Sequence, residues 1–100
     1  MDPPLGLKAV VLSASTVLLT WTDMSLSDNQ RVNDNRYYTI AYNPKTSHKK
    51  KYVNSTDLNV HIDNLRPNTE YEFSVTVYKG RRQSTPSMSI FVRTHEAGEY

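Results

Sequence analysis

The chain contains no cysteine. That excludes a disulfide framework and any thiolate metal site. It does not assign a compartment, because some extracellular β-modules manage without disulfides. Glycine is also scarce, at three residues, against seven tyrosines, one tryptophan and many Val, Thr and Ile. This mix favours β-structure over helix. No apolar run approaches the roughly 20 residues needed to span a bilayer, so no direct membrane insertion is expected from this stretch. No signal peptide is visible, and Met1-Asp2-Pro3-Pro4 reads as a start methionine set before a fragment. The expectation is a single module excised from a longer protein, with residues 1–4 and 95–100 as terminal linker.

Acidic residues are missing from two long stretches. None occurs from Asn35 to Thr56, where Arg36, Lys45, Lys49, Lys50 and Lys51 stand, and none from Phe73 to His95, which holds Lys79, Arg81, Arg82 and Arg93. Net charge is only +2, but this distribution makes the surface field asymmetric.

What is present is regular. One hundred residues make one domain, large enough to bury a real core. Apolar and polar residues alternate in short segments separated by turn chemistry. These are Leu7 to Val11, Thr16 to Trp21, Tyr38 to Tyr42, Lys50 to Asn54, Leu58 to Ile62, Tyr71 to Val77 and Met88 to Val92. Thr22 to Asn35 is polar and turn-rich, so it reads as a long loop. Seven strands of period 2, with no helical stripe, predict an all-β, seven-stranded antiparallel sandwich of two sheets.

The stretch Leu65-x-Pro67-x-Thr69-x-Tyr71 is the strongest local signal. Pro67 and Asn68 suit a turn. Tyr71 then opens a strand whose inward positions continue at 73, 75 and 77, and its hydroxyl can bond back to the corner before it. With Pro4 and Leu7 to Val10 at the start, Trp21, Tyr38-x-Ile40-x-Tyr42 and Ser84-x-Pro86-Ser87, the chain resembles the fibronectin type III family along nearly its whole length. The paired cysteines and Trp-Ser-x-Trp-Ser stretch of cytokine receptors are absent, as is an Arg-Gly-Asp tripeptide. More narrowly, Pro3 to Val10, Tyr71 to Val75, Arg81 to Thr85, Ser87-Met88-Ser89 and Thr94 to Ala97 resemble a membrane-proximal, fifth domain of this type in the DCC/neogenin netrin-receptor family.

The resemblance implies an immunoglobulin-like sandwich without catalytic activity or cofactor, in the extracellular part of a single-pass receptor that guides axons and migrating cells. It implies a secreted protein ligand, netrin-like or repulsive-guidance-molecule-like, and neighbouring fibronectin type III domains. In that fold the loop after Tyr78 shares a pole with the Thr22–Asn35 loop. Tyr37 and Tyr78 point outward by parity, so Arg31, Arg36, Lys79, Arg81 and Arg82 would gather beside two exposed aromatics. Arg and Tyr are enriched at interface hot spots. A solvated loop that serves solubility is the alternative.

Lys45, Lys49, Lys50 and Lys51 form a second basic segment near the opposite pole. They could hold heparan sulfate, or simply guard a sheet edge against aggregation. Nucleic acid is not expected at so small a net charge and without a recognition motif. Phe91 faces outward if Ile90 and Val92 face in. A hairpin closing around residues 79 to 86 would set Ser74 across from Phe91 and Glu72 across from Arg93, the latter as an exposed ion pair. Asn54-Ser55-Thr56 is a glycosylation sequon, expected in a surface loop. His48, His61 and His95 are scattered. His61 and Asp63 share an outward face but lack a third ligand, so no metal site is expected.

Overall fold

A computed structural model describes residues 1–24, 26 and 35–98. Eight strands follow in order: β1 Leu5–Val11, β2 Val17–Thr22, β3 Arg36–Pro44, β4 Lys51–Ser55, β5 Asn59–Ile62, β6 Glu70–Lys79, β7 Arg82–Gln83 and β8 Ile90–Arg93. They form two antiparallel sheets, β1-β2-β5 and β4-β3-β6, with β7 and β8 both paired to the far side of β6.

Alternation decides what goes inside. Along β6, Tyr71, Phe73, Val75 and Val77 are buried, and the residues between them are half-buried. They meet Val17, Leu19 and Trp21 of β2 and Ile62 of β5 across the sandwich, joined by Tyr38 and Ile40 of β3. Trp21 packs tilted against Tyr38 at 5.4 Å between ring centroids, and Tyr42 stacks on Phe73 at 5.9 Å. Phe73 has no exposed surface. Truncating such a side chain to alanine costs about 3–5 kcal/mol, through lost apolar burial and the cavity left behind.

The corner before β6 is built as its sequence requires. Asn64 and Asn68 take left-handed φ values of 59° and 48°, which asparagine tolerates better than most residues. The Tyr71 hydroxyl accepts the Arg66 backbone amide at 2.8 Å. Thr94, just past β8, clamps this corner: its amide donates to the Thr69 carbonyl, and its hydroxyl accepts the Thr69 amide. Pro4 is fully buried and the His95 carbonyl accepts the Asn68 amide at 2.8 Å. Pro4 and His95 both lie within the segments expected to be linker, residues 1–4 and 95–100, yet both join the folded body.

The last hairpin departs from expectation. It turns tightly at Gly80-Arg81, with Lys79 opposite Arg82, instead of through a wide 79–86 loop. An unbroken ladder from that turn would set Phe73 opposite Met88. Phe73 instead faces Ile90, so two extra residues are taken up between β7 and β8. Ser84 and Ser87 stitch this gap: their side-chain oxygens accept the Val77 and Val75 amides at 3.0 and 2.9 Å, and their own amides donate to the same residues' carbonyls. Pro86, without an amide proton, could not have continued a ladder there. A two-residue strand, β7, thus forms inside the expected loop, and the final strand begins at Ile90 instead of Met88, giving eight strands where seven were expected. Met88 is 89% exposed instead of inward. Glu72 faces Phe91 and Glu70 faces Arg93, which replaces the expected Glu72–Arg93 and Ser74–Phe91 pairs. The insertion is even, so Ile90 and Val92 still face the core.

Candidate functional site: a basic aromatic pole and a flat sheet face

The site is set by the long pairing of β3 with β6. Tyr37 lies opposite Tyr78, and Arg36 opposite Lys79. Tyr38 and Val77 point inward, so their neighbours must point out. The Tyr37 and Tyr78 rings stack with centroids 5.1 Å apart and planes 8° from parallel. Tyr37 is 38% exposed. Beyond them the Gly80-Arg81 turn and the first residue of β7 present Arg81 and Arg82 to solvent. Gly80 makes this turn possible: its φ is 59°, while a Cβ there would meet nothing within 4 Å. Backbone strain alone is what excludes other residues.

Arg36 leaves the expected binding set. Its side chain is only 6% exposed and forms an ion pair with Asp23, whose side chain is 2% exposed. The Tyr38 hydroxyl donates to the same carboxylate oxygen, Asp23 Oδ2, at 2.8 Å. Burial, reinforced by the hydrogen bond to Asp23 and its charge, pushes the Tyr38 hydroxyl far above its usual range. This buried triad ties the end of β2 to the start of β3, beneath the exposed pole. Arg31 lies outside the described residues.

The outer face of the larger sheet runs down from this pole. Its middle is small and polar: Thr39 and Ala41 of β3 beside Ser74 and Thr76 of β6. Tyr52 and Asn54 of β4 border it. At the far end, six residues along β6 and so about 20 Å from the tyrosine pair, Phe91 is 52% exposed. Lys45 sits over its ring at 5.7 Å and pairs with Glu70 at 3.2 Å. Phe91 thus shares a face with Tyr37 and Tyr78 without touching them. Tyr52, 64% exposed, was not singled out from the sequence. The parity of Val53 on the same short strand was the signal that could have shown it.

The second basic segment lies around the β3–β4 turn, at the opposite end. Lys45 is committed to Glu70 and Phe91. Lys49 and Lys51 line a groove with Tyr42, Ser47, Asn64, Arg66 and Tyr71, and Lys50 is exposed beside them. Arg66 belongs to this cluster through the tyrosine corner, a tertiary proximity that no local pattern reveals. Burial, and then the nearby Tyr71 and Asp63, raise the Tyr42 hydroxyl above its ordinary value, so it remains a neutral hydrogen-bonding group in that groove. Among the described residues, no group of three or more His, Asp or Glu could hold a metal ion. His48 and His61 are exposed and well separated in the chain.

A two-sheet antiparallel sandwich with a tyrosine corner and a buried β2 tryptophan belongs to the immunoglobulin-like class of sandwiches. The chain belongs to the fibronectin type III family, whose domain matches residues 2–93. It is 46% identical to human neogenin over 98 residues, covering 96% of this chain. It is 41% identical to the human netrin receptor DCC over 99 residues, covering 97%. The chain spans 7% of the length of each relative. Such homology places it with the extracellular modules of single-pass cell-surface receptors. Among solved structures, the FN1–FN3 domains of chicken CNTN1 superpose with a TM-score of 0.82 at 22% identity, over 96% of this chain and 31% of that one. A two-domain fibronectin type III segment of chicken tenascin gives 0.79 at 19%, over 94% and 50%. These last two share the fold.

Proposed function

We propose that the chain is a ligand-binding module of a netrin-type guidance receptor. In this reading it engages a secreted, acidic protein ligand, netrin-like or repulsive-guidance-molecule-like, through Tyr37, Tyr78, Lys79, Arg81 and Arg82. The carrying observation is the outward-facing, stacked tyrosine pair, Tyr37 exposed and Tyr78 half-buried, set directly below the two exposed arginines at the hairpin turn. A rigid aromatic platform gives contact area at low entropic cost, and the adjacent guanidinium groups supply directional donors and steer an acidic partner. Phe91 and Tyr52 extend the same face for a ligand of ordinary interface size. Homology to a netrin receptor supports the ligand class.

The test is surface-resonance binding of the chain to a netrin ligand, with an Arg81→Glu/Arg82→Glu variant whose fold is checked by circular dichroism. Saturable binding that disappears in the folded variant supports this reading. A folded wild-type chain that does not bind removes it and leaves a spacer that sets distance between neighbouring domains.

A second reading rests on the other pole. The groove that gathers Lys49, Lys51 and Arg66 suits sulfate groups of heparan sulfate, which these cations would hold as point charges. Elution from heparin well above physiological salt, lowered by Lys49→Ala/Lys51→Ala, would support it. Elution at low salt, unchanged by the variant, would discard it.

A further inference from the structure

The sequon Asn54-Ser55-Thr56 does not lie in a loop. Asn54 and Ser55 end β4, and Asn54 is exposed on the outer face of the sheet, opposite Thr39. The Thr39 hydroxyl donates to Asn54 Oδ1 at 2.8 Å. That bond fixes the carboxamide with its oxygen inward along the sheet and leaves Nδ2, the nitrogen a glycan requires, as the other branch. Thr56 is exposed as well.

Tyr37 is the diagonal neighbour of Asn54, two positions before Thr39 on the same face of β3. Diagonal pairs stand about 7–8 Å apart, within reach of a group attached to one of them. The sheet order β4-β3-β6 gives the two faces of the Tyr37 ring different roles. One face is covered by the nearly parallel ring of Tyr78, on the β6 side. The other therefore turns to the β4 side. There, a shallow groove is lined by Tyr37, Asn54, Ser55, Thr56 and Asp57. An aromatic face at the floor of a polar groove suits the apolar C–H face of a pyranose ring, with Thr56 and Asp57 at its rim for hydroxyls.

The geometry points to Asn54 as an N-glycosylation site whose first N-acetylglucosamine lies in this groove against the free face of Tyr37. The donor is a lipid-pyrophosphate-linked oligosaccharide of the secretory pathway. Asn54 Nδ2 bonds to the anomeric carbon, the bond from that carbon to the pyrophosphate oxygen breaks, and the lipid pyrophosphate departs with the electron pair. The amide nitrogen loses one proton, which the departing pyrophosphate takes up. Oδ1 keeps its bond from Thr39. The sugar then completes a three-layer stack of glycan, Tyr37 and Tyr78. The β4 side of the tyrosine pair is closed, and the pole stays open only from the side of β6 and β7. The glycan would cover the Tyr37 face that borders the proposed ligand surface, so in the glycosylated chain a protein ligand reaches this pole through Tyr78, Lys79, Arg81 and Arg82; the site and the stacking are themselves tested without that ligand.

The test is secretion of the 100-residue chain from cultured animal cells. Intact mass is measured before and after peptide-N-glycosidase treatment, and peptide mapping follows. The expected result is a glycan on Asn54 in the wild type and none in Thr56→Ala, which removes the sequon but keeps the Asn54–Thr39 bond. An unmodified, folded wild-type chain overturns the site. NMR of the glycosylated chain with labelled sugar tests the stacking. First-sugar protons should be shifted upfield by the ring current of Tyr37 and return to ordinary values in Tyr37→Ala. A glycan whose first sugar shows ordinary shifts in the wild type overturns the contact with Tyr37.

Discussion

Replacing Asp23 with Asn should be among the most damaging single polar changes available in this molecule. The side chain keeps its shape and can still accept the Tyr38 hydroxyl. What it loses is charge, and the Arg36 guanidinium it neutralises is 6% exposed. A cation at that burial cannot be compensated by water. Breaking a buried pair by removing one partner costs about 3–5 kcal/mol, mostly as the desolvation of the charge left behind. For a domain of this size each kcal/mol moves Tm by about 4–8 °C, so Tm should fall by at least about 12 °C. The assay is urea unfolding followed by far-ultraviolet circular dichroism, with Tm measured in parallel. Tyr38→Phe is the calibrating variant. It removes one bond to a charged acceptor, leaves the ion pair intact, and should cost about 1.5–3 kcal/mol. A loss below about 0.5 kcal/mol for Asp23→Asn would refute the reasoning, because it would mean that Arg36 does not depend on the Asp23 charge for its compensation.

The remaining predictions are smaller. Tyr38 has a raised folded-state pKa, so its contribution is fully present below the ordinary value of 10.0 and is lost as pH rises above it; the decline in stability above about pH 10, followed by urea midpoint, should be shallower in Tyr38→Phe than in wild type. Ser87→Ala strips the buried Val75 amide of its acceptor and should cost about 1–3 kcal/mol in urea unfolding, whereas Ser89→Ala, on an exposed residue of the same segment, should cost under about 0.5 kcal/mol. Gly80→Ala forces a Cβ into the left-handed region at the hairpin turn and should lower stability by about 1 kcal/mol, read as a lower urea midpoint at unchanged slope. Arg81→Glu/Arg82→Glu changes only exposed side chains and should leave the urea midpoint within about 0.5 kcal/mol of wild type.

Period-2 alternation is a strong code for which side of a strand faces in, and it carried most of this fold. Tyr71, Phe73, Val75 and Val77 are buried as their spacing requires, and so are Val17, Leu19 and Trp21. Parity also placed Tyr37 and Tyr78 outside, though their stacking depends on register, which is a tertiary fact. The final hairpin shows what parity cannot see. An insertion of two residues keeps every inward residue inward, so the alternation of Ile90 and Val92 is the same whether or not the ladder is broken. The break is carried by the pair of serines flanking Thr85-Pro86, and a hydroxyl standing in for a backbone group leaves no periodic trace. Arg36 was misplaced for a different reason. A basic residue at the start of a strand ordinarily points to water, and only the arrival of Asp23 from the end of another strand turns it inward.

The stitched gap between β7 and β8 has a consequence for the chain's neighbours. A sheet whose last strand ran unbroken from Arg82 to Arg93 would offer a long row of unpaired amides and carbonyls. Here an approaching strand finds a two-residue ladder, then a bend carrying Pro86 and an exposed Met88, then a four-residue ladder out of register with the first. Neither piece is long enough to template another strand. Receptors that string similar sandwiches together hold them at high mutual concentration, where pairing between the wrong repeats is a characteristic failure. Two serine hydroxyls thus blunt this edge of the sheet at no loss of hydrogen bonding within the domain.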